Sequence, residues 1–184
     1  MKRLLLAAAL LGSASFVGAA PALAFDVSID DTLCPIDIIG EAELDSWADT
    51  LVASKGQLSD AQEDRLVEST AVCAQNLGWS EKDTISALEF NLSVIASTAI
   101  GDSLKADGID VISYEVVLEN RSAADLRQVL EDPDNSIVLK EFTDKMLTDL
   151  GDKLTDEITA DLATYIAFMA QAQLSAMKMS GLAE

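Results

Sequence analysis

Residues 136–179 read SIVLKEFTDKMLTDLGDKLTDEITADLATYIAFMAQAQLSAMKM, the longest helical pattern in the chain. Apolar residues recur at Leu139, Phe142, Met146, Leu150, Leu154, Ile158, Leu162, Ile166 and Met169, a spacing that only an α-helix gathers onto one side. From Phe142 to Ile166 the step is four every time, so on a helix of 3.6 residues per turn the row slides around the cylinder. Either several partners cover one helix, or the helix breaks. Gly151 is the natural break, because glycine inside a helix costs about 1 kcal/mol relative to alanine, and Asp152 could cap a second segment. Two helices are expected, over 136–150 and 152–178, and the fold class is an all-α compact bundle of six to seven helices.

Within the second helix the stretch from Leu162 to Met177 carries no charge. That marks Leu162, Tyr165, Phe168, Met169, Leu174 and Met177 as a surface for a protein partner or for self-association through the C-terminal helix. The competing account buries the same residues in the chain's own bundle. Sixteen residues interrupted by Gln171, Gln173 and Ser175 are too short and too polar to span a bilayer, which takes about 20 apolar residues. Met169, Met177 and Met179 read as gap-filling core and not as a metal-binding group.

The N-terminus reads as an export signal over residues 1–24. Lys2 and Arg3 precede an apolar run from Leu4 to Leu11, and Pro21 precedes Ala22-Leu23-Ala24, with cleavage expected between Ala24 and Phe25. The competing reading is an uncleaved anchor. After cleavage no stable membrane span is expected, and residues 25–184 form a single helical domain, with 25–40 an irregular lead-in and the bundle over 41–184. The location is then periplasmic or secreted. In an oxidising compartment Cys34 and Cys73 pair as one disulfide, closing a loop of about 40 residues that the loop-entropy model values at about 4 kcal/mol. No Cys-x-x-Cys spacing suggests a redox-active pair.

The 184 residues include 32 acidic and 12 basic side chains, for a net charge of −20. Cleavage would remove Lys2 and Arg3 and no acidic residue, taking that charge from −20 to −22. Such a field repels phosphate backbones and excludes nucleic acid as a partner. It attracts cationic partners or divalent cations, or simply solvates helix surfaces. The sequence contains no histidine, which removes Ser-His-Asp and Cys-His catalysis, histidine zinc sites and the Glu-x-x-His sites of di-iron bundles. No phosphate loop or dinucleotide fingerprint is present, and no cofactor is expected.

Between the two ends, local signals divide the chain into helices. Glu41 to Ser54 is amphipathic, with Leu44, Trp47, Ala48, Leu51 and Val52 facing inward, and Lys55-Gly56 ends it. Ser59 with Gln62 forms a capping box for a helix that would bury Leu66, Val67, Thr70, Cys73 and Leu77 before Gly78. Ser80 caps a third helix. From Ile85 to Leu104 that helix holds only Glu89 and Asp102 as charges, the pattern of a buried central helix. Gly108 breaks the chain. Residues 111–118 fit a strand by alternation and a helix by spacing, and lacking any partner strand they are assigned helix. Ser122 caps a short helix to Glu131, and Asp132-Pro133-Asp134-Asn135 is a turn.

Three groupings could carry chemistry. Asp132 and Asp134, followed by Ser136, begin like a calcium loop, but Ile137 and Thr143 stand where that loop needs glycine and glutamate. The acidic pairs at four-residue spacing, such as Asp60 and Asp64, could take a divalent ion. Glu68-Ser69 resembles the glutamate-serine pair of helical lysozyme-like lytic transglycosylases. The resemblance covers two residues, and the Gly-rich, glutamine-ending segment that follows in that family is absent here. It implies Glu68 as general acid of a cell-wall glycan hydrolase, which requires an apolar pocket around the carboxyl. The leading expectation is an exported, non-catalytic helical protein that works by binding. The hydrolase on Glu68 and a weak divalent-cation binder stand as alternatives.

Overall fold

The computed structural model describes residues 28–183, so the expected signal segment and the Ala24–Phe25 cleavage position lie outside the described residues. Within them the fold is all-α, with nine helices and no strand. In chain order they are α1 (Ile29–Thr32), α2 (Cys34–Ile39), α3 (Glu41–Ala53), α4 (Asp60–Leu77), α5 (Glu81–Ala106), α6 (Ile112–Glu115), α7 (Ala123–Glu131), α8 (Ile137–Leu150) and α9 (Asp156–Met179). Short 3-10 turns cover Val116–Leu118, Pro133–Asn135 and Gly151–Lys153.

Local chemistry starts and stops these elements. Ser59–Gln62, Ser80–Asp83 and Ser122–Asp125 each form a reciprocal capping box at the head of α4, α5 and α7, satisfying N–H groups that a helix start leaves unpaired. Gly78 ends α4 in the left-handed conformation, at φ 71°. Residues 111–118 are helical, as assigned. The break after α8 falls at Gly151, but the cap of α9 is Thr155, whose hydroxyl accepts from the Ile158 N–H at 3.2 Å, and not Asp152. Asp152 is taken up in the 3-10 turn.

Of the expected irregular lead-in over 25–40, residues 25–27 lie outside the described residues and the part from Ile29 to Ile39 is corrected by α1 and α2. Pro35 occupies the first turn of α2, where its missing N–H costs nothing. Ile36 and Ile39 are buried, and the Cys34–Cys73 disulfide fixes the helix to α4. Helices this short leave no readable period in the sequence.

α5 and α9 share the most extensive interface and form the axis of the bundle. Small residues explain their closeness: α5 buries Ala87, Ser93, Ala96, Ser97 and Gly101, and α9 buries Ala170 and Ala172. A Cβ on Gly101 would stand 2.9 Å from Cε2 of Tyr165 on α9. Two apolar clusters flank this axis. One gathers Trp47, Leu51, Leu66 and Phe90 under α2–α4, and the other gathers Tyr114, Leu126, Phe142 and Leu162 under α6–α8. Phe168 packs against both.

This architecture corrects the reading of the C-terminal helix. Leu162, Tyr165, Met169 and Leu174 are core residues, while Phe168 and Met177 are partly buried and packed against the core. The large apolar residues of the uncharged stretch face α5 and the helices beside it, and what the stretch leaves partly open is mostly small or polar, such as Ala163, Thr164 and Gln173. Val67, Leu77 and Ile85, expected inside, are exposed instead.

Candidate functional site

Three places combine polar chemistry with a defined geometry. The first is at the α5–α9 crossing. Glu89 Oε2 accepts hydrogen bonds from Lys178 Nζ at 2.9 Å, Gln171 Nε2 at 3.1 Å and Ser175 Oγ at 3.1 Å. Lys178 also lines an open hollow of about 380 Å³ together with Glu81, Lys82, Ile85 and Ser86. Serine and lysine three residues apart can serve as nucleophile and base, but a base must be free to accept a proton. Here Lys178 is paired with the Glu89 carboxylate, and Ser175 is fully buried. The arrangement ties two helices together.

The second place lies in the core. Glu115, on α6, has 8% of its surface exposed, and its Oε1 accepts a hydrogen bond from the hydroxyl of Tyr165, which is 5% exposed. Glu115 Oε2 is buried with no partner. Burial pushes the Glu115 carboxyl above the usual range. The Tyr165 bond and the Lys105 charge oppose that rise, and Asp110 adds to it. Tyr165 is raised as well, by burial first and then by its bond to Glu115 and the charges of Glu115 and Asp102. A neutral carboxyl in an apolar site is the usual setting of a general acid; here the carboxyl is enclosed in the core against Tyr165.

The third is the outer face of α4. Asp60, Asp64 and Glu68 stand in a row at four-residue steps, and all are exposed. Val72 continues that row one step further and Val67 lies beside it, 46% and 44% exposed.

The site residues read from the sequence distribute as follows. Glu68 belongs to that exposed face, outside the apolar enclosure that its catalytic reading requires. Asp134 is exposed in the 3-10 turn before α8 and Asp132 is exposed just ahead of that turn, where both its carboxylate oxygens accept from Asn135 Nδ2 at 3.0 Å. Among the described residues no group of three or more acidic or cysteine side chains is placed to hold a metal ion. Cys34 and Cys73 are joined. The sequence reading missed Glu89 and Glu115 as partnered acids, although each is a lone charge in an apolar run.

α5 is long and apolar enough to cross a membrane by length and composition, but 67% of its apolar window is buried inside the bundle. Comparison with known protein families, curated proteins and solved structures gives no match.

Proposed function

We propose that the chain is an exported, non-catalytic helical protein that binds a basic partner through the outer face of α4. The observation that carries this reading is the row of Asp60, Asp64 and Glu68, continued by the exposed Val72 and flanked by the exposed Val67. Exposed apolar groups among charges supply contact area, and carboxylates at a surface favour a partner of opposite charge. The net charge of −20 acts in the same direction by steering cations to the whole molecule. Export is supported by the disulfide, which persists in oxidising compartments, and by the N-terminal pattern.

The test is capture from a periplasmic extract by the immobilised protein, at low and high salt, with mass spectrometry of the retained proteins. A basic protein held at low salt, released by salt and lost on Val67→Lys with Glu68→Lys supports the reading. Retention that ignores both salt and the double substitution refutes it. Both positions are exposed, so the variant's stability should stay within about 0.5 kcal/mol of the parent.

A further inference from the structure

The segment 109–119 is bounded by two left-handed residues, Gly108 at φ 81° and Asn120 at φ 58°. Between them Ile109, Val111, Tyr114, Val117 and Leu118 are buried, and Glu115 is the one acidic side chain buried among the described residues. Its Oε1 is bonded to Tyr165 on α9, and its Oε2 has no partner. The Tyr165 ring lies over bare Gly101 on α5, so the pair sits where three elements meet.

A buried carboxyl with one unmatched oxygen is tolerable when neutral and costly when charged, because a charge removed from water needs its lone pairs satisfied. The surroundings do little to compensate a charge. Lys105 and Asp102 on α5 oppose each other, as do Lys145 and Asp149 on α8, which face neighbouring Tyr114. Asp110 adds negative charge at the start of the segment, and Tyr165 contributes one hydroxyl.

We propose that Glu115 is a proton-dependent latch: neutral, it is accommodated in the core and segment 109–119 stays packed against α9; ionised, the cost of burying its charge releases that segment, which turns about Gly108 and Asn120. The folded state binds the Glu115 proton more tightly than the unfolded one. The contribution to stability is therefore full below the unfolded value near 4.5 and is lost as pH rises toward the raised folded value. This is opposite to an acid held by a salt bridge. Relief of general repulsion in an acidic chain has the same sign, so the experiment isolates Glu115.

The measurement is amide hydrogen exchange of residues 109–119 in the purified protein between pH 4.5 and 8.5, corrected for intrinsic rates. Protection should fall with pH, about tenfold in the opening equilibrium for each unit by which the folded value exceeds the unfolded one. Glu115→Gln keeps an acceptor for Tyr165 and cannot ionise, so its profile over 109–119 should be flat relative to α4. Tyr165→Phe removes the hydroxyl that favours the charged form, so the fall should move to higher pH. An unchanged profile in Glu115→Gln, or a shift to lower pH in Tyr165→Phe, overturns the proposal. If Glu115→Gln does not fold, the direction of the Tyr165→Phe shift decides alone.

Discussion

Reducing the Cys34–Cys73 disulfide should destabilise the whole molecule, and the size of the effect follows from the chain it closes. The sequence separation is 39 residues. For a loop of that length the chain-entropy model gives about 13 cal/mol/K, or about 4 kcal/mol at room temperature, gained by the reduced unfolded chain. The figure holds only if the reduced native state keeps its structure. Three contacts argue that it does: Ile36 and Ile39 remain buried in the core, Asn91 Nδ2 donates to the Thr32 carbonyl at 2.9 Å, and Arg65 donates to the Ile38 carbonyl at 3.2 Å. α1 and α2 should therefore stay docked without the covalent tie. The assay is urea unfolding by circular dichroism, with and without reductant, and a thiol titration confirming two free cysteines. The midpoint should drop by the equivalent of about 4 kcal/mol. At about 2–4 °C per kcal/mol for a chain of this size, Tm should fall by about 8–16 °C. An unchanged midpoint with both thiols free would refute the loop argument. So would lost exchange protection confined to residues 29–39 with global stability intact, because the disulfide would then be holding only a local flap.

Two further substitutions probe the packing. Gly56 follows α3 at φ 89°, and a Cβ there would fall on the Phe168 ring; Gly56→Ala should cost about 2–5 kcal/mol in urea unfolding from left-handed strain and overpacking together, and a loss under about 1 kcal/mol would show that the ring yields freely. Asn91 is fully buried with Nδ2 donating to the Thr32 and Ala87 carbonyls at 2.9 and 2.7 Å. Asn91→Asp replaces that donor with a carboxyl facing two carbonyl oxygens, so a loss of about 3–5 kcal/mol is expected near neutral pH. It should shrink on acidification, because the new carboxyl is favoured when protonated, and a loss independent of pH between 4 and 8 would refute the burial argument.

Much of the fold was legible because its boundaries are local. Ser59 with Gln62, Ser80 and Ser122 announce helix starts within three residues of themselves, and the structure caps helices at all three. Two cysteines leave one pairing. The misreadings arise where the deciding partner is distant in sequence. Val67 and Leu77 fit the apolar period of α4, but periodicity cannot say where the covering helix ends, and both stand exposed. Thr155, and not Asp152, caps α9 because Gly151 turns the chain through a 3-10 segment before the helix begins.

The C-terminal stretch shows why the candidate site was harder to read than the fold. Leu162–Met177 lacks charge whether it meets a second protein or the chain's own α5, so composition alone cannot separate interface from core. The separating information lay on the other helix: Ala87, Ser93, Ala96, Ser97 and Gly101 make α5 narrow enough to admit α9. The lone acids carry the same message. Glu89 interrupts the apolar run of α5, Glu115 is the single charge in 111–118, and both prove to be partnered by α9, through Lys178 and Tyr165 respectively. In a chain with 32 acidic residues most carboxylates report only on solvation. A carboxylate standing alone in an apolar segment must be matched from another element, so it points to the helix that covers it.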